Sequence, residues 1–246
     1  KNMAEFVSDS EKIAVEGDVV LYRTHTDRTE STFNAEGKLT GYKESVRQYS
    51  PETEGTLALD VTITTVRADI EYYTKAEQDS WVVGDSGLAV KAGSIKSYID
   101  TITSTASEGL TTTVVMEEMF YSHDRLVAYT ETRTESGEGL NFITTTERTS
   151  TSYRGDRVTA YEEHVTTNAG SDDTIKRSDI VYDGMGNITS YNEETVSIDD
   201  TIRAERTNIA YNNFDQMISY DETSTNSIND VQTIRWQNAS YDAKGR

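Results

Sequence analysis

An apolar residue followed three positions later by tyrosine recurs seven times along this chain at nearly constant spacing. The pairs are Leu39 and Tyr42, Ile70 and Tyr73, Ile95 and Tyr98, Leu126 and Tyr129, Val158 and Tyr161, Ile188 and Tyr191, and Met217 and Tyr220. Successive tyrosines lie 31, 25, 31, 32, 30 and 29 residues apart. A period of this length marks an array of supersecondary units. Each unit then leans on its neighbours instead of sharing one central core.

A second element sits just upstream. An aromatic residue is followed by four or five turn-forming residues and then by the apolar residue: Phe33-NAEGK-Leu39, Tyr121-SHDR-Leu126, Tyr153-RGDR-Val158, Tyr182-DGMGN-Ile188 and Tyr211-NNFDQ-Met217. Asn, Asp and Gly supply left-handed or Asx-turn geometry. Another turn falls midway through the repeats: SEG at 107–109, SGEG at 136–139, NAGSDD at 168–173, IDD at 198–200 and NSIND at 226–230. Each repeat therefore holds two strands. The 246 residues include 15 Tyr and 36 Thr but one Pro, and Tyr and Thr favour strands. We expect an all-β fold of tandem two-strand hairpin repeats, about 30 residues each, in one continuous antiparallel sheet, extended or spiralling. A single array over 1–246 divides at roughly 12–38, 39–69, 70–94, 95–125, 126–157, 158–187, 188–216 and 217–246. Strands of ten to twelve residues span about 35–40 Å, and about 15 strands are expected from this period. The last turn, Tyr241-DAKGR, breaks off inside the motif, which suggests an excerpt from a longer array.

Hairpin geometry makes a pairing prediction. Residues equidistant from a turn centre face each other, so Tyr182 meets Ile188 and Arg177 meets Glu193. The same midpoints match Tyr211 with Met217 and Arg206 with Glu222, Phe33 with Leu39 and Arg28 with Glu44, and Tyr153 with Val158 and Arg148 with Glu163. Opposed charges and aromatic–aliphatic pairs across strands contribute about 0.2–1 kcal/mol each and pin the register. The two pairs of a hairpin stand five residues apart, so strict alternation puts them on opposite faces. One face would carry Ile180, Tyr182 and Ile188 and the other Arg177, Glu193 and Tyr191. Met116 opposite Glu131, and Trp236 in the Arg position, depart from the pattern.

The formal charge of −20 disfavours nucleic acid, whose phosphates call for clustered Lys and Arg, and anionic membranes; it can draw divalent cations such as Ca²⁺ diffusely. No cysteine is present, so no disulfide framework exists. No apolar run reaches the roughly 20 residues of a membrane helix.

Tyr182-Asp183-x-x-Gly186 and Tyr241-Asp242-x-x-Gly245-Arg246 resemble the YD motif of the Rhs/YD-repeat family, with Tyr211-Asn212 a weakened copy. The resemblance covers the turn half of each repeat from Phe33 to Arg246. It implies long antiparallel hairpins in one spiralling sheet, either a shell around a toxin cargo or an extracellular scaffold. The repeats here are longer than usual for that family, and most lack the Asp or the final Gly-Arg.

Other motifs have plainer readings. GDSG at Gly84 to Gly87 resembles the nucleophile loop of trypsin-like proteases, but His25, His123 and His164 offer no matching triad partner. Arg154-Gly155-Asp156 resembles an adhesion ligand, in a slot that drifts among turn sequences. Asp172-Asp173 and Asp199-Asp200 lack the ligand spacing of a calcium loop. Neighbouring acids such as Glu117-Glu118 and Glu162-Glu163 point to opposite faces of a strand, so they cannot flank a substrate as glycosidase carboxylates do. The sequons at Asn187 and Asn238 and the Thr-rich stretches read as ordinary polar β-surface. No catalytic residue, cofactor or metal site is expected. The favoured reading is a structural segment of a large bacterial protein, extracellular or on the cell surface, fibrous or adhesive. Its partners would be itself, by edge-to-edge or end-to-end assembly, or surface glycans. A segment of a toxin-enclosing YD shell and a carbohydrate-active or carbohydrate-binding repeat protein are the alternatives.

Overall fold

The computed structural model describes residues 10–16, 19–49, 60–81, 88–212 and 216–239, with side chains from Arg23 onward. Its strands are β1 (Ser10–Glu16), β2 (Val19–Phe33), β3 (Leu39–Tyr49), β4 (Asp60–Tyr72), β5 (Ile95–Ser104), β6 (Thr111–Ser122) and β7 (Arg125–Gly137). The series continues through β8 (Leu140–Arg154), β9 (Arg157–Thr167), β10 (Asp172–Tyr182), β11 (Ile188–Val196), β12 (Thr201–Tyr211), β13 (Met217–Thr225) and β14 (Val231–Trp236). All fourteen pair antiparallel, in chain order, in one sheet. The turns after the aromatic residues line one margin of the sheet and the acidic turns line the other.

Each strand packs only against its neighbours in the chain. Among the described residues no second layer covers either face apart from the chain between Tyr72 and Ile95, and no large side chain is completely buried. The apolar material collects in two clusters on one face. Val114, Met116 and Met119 centre the first. Ile180, Tyr191 and Ile209 centre the second, with Val158, Tyr161, Tyr182, Ile188, Tyr211, Met217 and Tyr220 packed around them.

That grouping overturns the expected division between faces. Tyr182 and Ile188 lie with Tyr191, not opposite it. The cause is a pair of bulges in each hairpin. Between Ser178↔Asn192 and Val181↔Ser190, strand β10 carries two residues against one on β11; between Val181↔Ser190 and Tyr182↔Ile188, Thr189 is the extra residue on β11. An extra residue on each strand turns five steps into four changes of direction, so both pairs share a face. The extra residues cancel about the turn centre, which leaves the midpoint pairing intact. The same double shift occurs in β2–β3, β4–β5, β6–β7 and β12–β13. In each of these the bulged strand bears a residue of positive φ: Glu30, Asp69, Glu118, Asp179 or Asn208, between 51° and 54°. In β8–β9 the extra residue is Thr149, one position earlier.

The unit boundary near residue 70 also needs correction. Ile70 lies in β4 and is buried at 5% exposure, two residues before Tyr72, as Ile180 precedes Tyr182 and Ile209 precedes Tyr211. The turn tyrosine is therefore Tyr72, which pairs with Ile95, and Tyr73 only mimics the repeat. Units 39–69 and 70–94 are one hairpin repeat whose turn is enlarged to residues 73–94 and holds a short helix, α1 (Lys75–Ser80). Thr74 and Glu77 close a capping box at its start. GDSG at 84–87 falls outside the described residues, as do Tyr241, Asp242 and Gly245. Strands run from 6 to 15 residues, a wider spread than expected.

The position two before the turn aromatic holds Ile70, Met119, Ile180 and Ile209, all buried, but Ser31 in β2 and Thr151 in β8. The Thr151 hydroxyl is buried without a hydrogen-bond partner. Replacing it by a methyl of the same shape removes that desolvation cost. Thr151→Val is expected to raise the free energy of chemical unfolding by about 1 kcal/mol; a destabilised variant would show that the hydroxyl is satisfied.

Candidate functional site

The repeated side chains build a ladder across the tyrosine-bearing face. In each regular hairpin an Arg on the incoming strand meets an acid on the outgoing strand, as midpoint pairing predicts. Arg28 Nε and Nη2 donate to Glu44 Oε2 at 3.0 and 2.6 Å. Arg148 Nε reaches Glu163 at 2.8 Å, Arg177 Nε reaches Glu193 at 2.9 Å and Arg206 Nε reaches Glu222 at 2.8 Å. A fifth pair was missed in the sequence. Arg67 forks onto both carboxylate oxygens of buried Asp100, at 2.7 and 2.6 Å. It shares the midpoint of Tyr72 and Ile95, but Asp replaces Glu and the enlarged turn hides the symmetry.

Four of these five guanidinium groups also lie between two tyrosines. Arg177 sits 4.1 Å from the Tyr191 ring centre and 5.4 Å from that of Tyr161. Arg206 bridges Tyr220 and Tyr191 at 4.4 and 5.5 Å, and Arg148 bridges Tyr161 and Tyr129 at 4.1 and 5.2 Å. Arg67 bridges Tyr98 and Tyr42 at 3.7 and 5.6 Å, and Arg28 lies 4.1 Å from Tyr42. Within the hairpin the carboxylate fixes the cation; between hairpins the tyrosine of the preceding hairpin shares it. Cation–π contacts contribute about 0.5–2 kcal/mol each, more as they lose water. At the last described strand Trp236 takes the Arg position, its ring 5.3 Å from that of Tyr220.

The turn tyrosines form a second ladder. The hydroxyls of Tyr72, Tyr121, Tyr153, Tyr182 and Tyr211 donate to the carbonyls of Leu39, Ile95, Leu126, Val158 and Ile188, at 2.6–3.0 Å. Each acceptor is the apolar residue that opens the outgoing strand of the preceding hairpin. Phe33 holds the same position without a hydroxyl. Cations one residue before that apolar residue cover the next ring: Lys38 on Tyr72, Arg125 on Tyr153 and Arg157 on Tyr182.

The turns explain which copies keep the Asp. Asp183 Oδ1 accepts from the amides of Met185, Gly186 and Asn187 at 2.8, 2.7 and 2.9 Å, bonds that hold its carboxyl below the usual carboxylate range. Gly186 has φ +104°, which favours glycine. Asn34 and Asn212 fill the same role in the other five-residue turns. In the four-residue turns, Ser122 pairs with Arg125 and Arg154 with Arg157, leaving two-residue tips that need no side-chain acceptor. Asp156 of Arg154-Gly155-Asp156 sits at such a tip and bonds Arg125 at 3.1 Å.

Among the described residues no three His, Cys, Asp or Glu side chains converge where a metal could be held. No described helix is long and apolar enough to cross a membrane. The acidic pairs divide. Glu163 faces Arg148 while Glu162 faces Lys176 from the other side. Glu117 and Glu118 instead line one hollow, because Glu118 is a bulge residue of φ 51°; alternation does not separate them.

Met116 is the one interruption in the ladder between Arg28 and Arg206. It stands opposite Tyr98 on one side and Glu131 on the other, where every comparable strand has Arg or Trp. Met116→Arg supplies the missing partner for Glu131 and joins the rings of Tyr98 and Tyr129. The net gain is expected to be about 0.5–1 kcal/mol, the cation–π and ion-pair gain less the desolvation cost, read as a higher denaturant midpoint; Met116→Gln should bring no gain. A second expectation concerns alkali. Burial pushes the phenols of Tyr121 and Tyr129 up to about 12 from their ordinary value of 10. The folded state prefers the neutral phenol, so this stability is complete below pH 10 and is lost as pH rises through the folded value. Unfolding between about pH 10 and 12, with phenolate absorbance following the loss of strand signal, is expected from this linkage; full ionisation with the sheet intact would contradict it.

No family model, no curated protein and no solved structure matches this chain.

Proposed function

We propose that this chain is a structural segment of a large bacterial protein, surface-exposed and fibrous or adhesive, without catalytic activity. The observation that carries the reading is the ladder itself. From Arg28 to Arg206, with Met116 the one interruption, the same kind of contact joins one hairpin to the next, and Trp236 ends the row with a ring-to-ring contact, so stability is spent on propagating the sheet. A single layer whose strands touch only their chain neighbours transmits load along the array and can be lengthened one hairpin at a time. The Rhs/YD resemblance supports the same role, since its hairpins serve as scaffolds. Surface glycans, diffuse Ca²⁺ or other copies of the chain are the partners such a segment would meet outside the cell.

Residues 158–187 form one exchangeable unit. Deleting them joins Arg157 to Ile188 and restores an Arg148–Glu193 pair at the spacing of Arg148 and Glu163. The deletion should stay folded by circular dichroism and shorten the particle across the strands by about 10 Å, two strand spacings; duplication should lengthen it equally. Electron microscopy or solution scattering reads the change. Loss of folding, or a closed hollow particle of fixed size, would contradict an open scaffold and favour a shell.

A further inference from the structure

The turn between Tyr72 and Ile95, described at residues 73–81 and 88–94, is the one enlarged turn after an aromatic residue among the described hairpins, and loops added to a rigid scaffold are where binding groups concentrate. It is anchored, not loose. Tyr73 and Val90 are buried. Gln78 of α1 accepts the amide of Ala92 at 2.9 Å, and Lys96 of β5 donates to Glu77 at 2.9 Å. The turn ends α1 at Trp81, whose ring nitrogen donates to the Leu88 carbonyl at 3.0 Å. The Trp81 ring lies 5.1 Å from that of Phe120, yet the residue keeps 40% of its surface exposed.

Phe120 follows Glu117 on the face opposite the tyrosines, at the next paired position of the same hairpin. At that preceding paired position, Glu117 and Thr130 line a hollow of about 380 Å³ together with Glu71, Lys96, Ser97 and Glu118. Two bulges create it. Glu71 pairs with Ser97 just past the bulge at Asp69, and Glu117 pairs with Thr130 just before the bulge at Glu118. Glu117 is exposed. Lys96 is drawn toward Glu77 and Glu71, and Thr130 donates weakly to Glu118 at 3.3 Å.

We propose that Trp81 and this hollow form a binding site for a neutral glycan. A pyranose ring has an apolar C–H face, suited to an exposed indole, and a rim of hydroxyls. Carboxylates accept from those hydroxyls, the Lys96 ammonium donates to them, and Ser97 and Thr130 do either. An aromatic platform beside a few converging polar groups is the usual make-up of a small-ligand site. Three carboxylates against one ammonium repel uronic or sialic acids. The site requires only the local fold and stands or falls separately from the role of the array.

Calorimetric titration of the intact chain with β-linked tetrasaccharides of glucose, N-acetylglucosamine, xylose and mannose tests the site. Binding of at least one is expected, weakened about tenfold by Trp81→Ala, the loss of one stacked ring, and unchanged by Trp236→Phe. Glu117→Gln, which keeps the shape of an exposed side chain, should weaken binding severalfold; it serves as the control if Trp81→Ala disturbs the fold by circular dichroism. Absence of binding to all four sugars would overturn the proposal. So would binding that survives Trp81→Ala and Glu117→Gln, or tighter binding of tetragalacturonate than of the neutral sugars.

Discussion

Two extra residues per hairpin, one on each strand, hold the rest of the structure in place. Without them Arg177 and Tyr182 would stand on opposite faces, and the sheet would have two thin, mixed surfaces. With them, the ion pair, the tyrosines that sandwich it and the apolar residues near the turn gather on one face. The strain is visible in the left-handed backbone at Glu30 and Glu118, a conformation costly for residues other than Gly, Asn and Asp; Asp69, Asp179 and Asn208 fill the same position at lower cost. The reward is a core in a protein that has only one layer. Aromatic rings bury large areas, and guanidinium groups laid over them replace the second sheet that a sandwich would provide.

The two ladders divide the work. Tyrosine–arginine–carboxylate contacts bind each hairpin internally and to its predecessor, part way along the strands. Turn hydroxyls bonded to the carbonyls of Leu39, Ile95, Leu126, Val158 and Ile188 fix the offset of successive hairpins at the margin. A slip by one residue would break both, since every side chain would change face. An open single-layer sheet has no other guard on register, because nothing packs against it to select the correct face.

Much of this was legible in the sequence. The period, the two turns per repeat and four Arg–Glu pairs followed from spacing alone, because pairing about a turn centre depends only on the sum of positions. That same property hid the bulges: extra residues on both strands leave the sum unchanged while reversing the faces. Burial of Ile180 with Tyr191 is the sign that alternation had failed, and only coordinates reveal it. Tyr72-Tyr73 shows a different limit. Two adjacent tyrosines, one after Ile70 at the repeat spacing, allowed a false phase, and the acid opposite Arg67 was Asp100 instead of Glu. The contribution of Trp81 was illegible, since it depends on where α1 returns the chain over Phe120.

Charge completes the account. Of 43 acidic residues against 23 Lys and Arg, the acids of the ladder are matched by arginines. The excess therefore sits elsewhere, and the turns at the margin away from the tyrosines carry Glu108, Glu138, Asp172, Asp173, Asp199, Asp200 and Asp230 with no basic residue among them. A single-layer sheet exposes both faces, and an unpaired edge strand is a standing invitation to pair with other sheets. Like charge along every repeat opposes that pairing at long range and weakens with salt. Threonines along the strands add polarity without sacrificing strand preference. The acidity thus belongs to the same physical solution as the bulges: one face is packed tightly enough to define the fold, and the remaining surface is polar and charged where no second layer hides it.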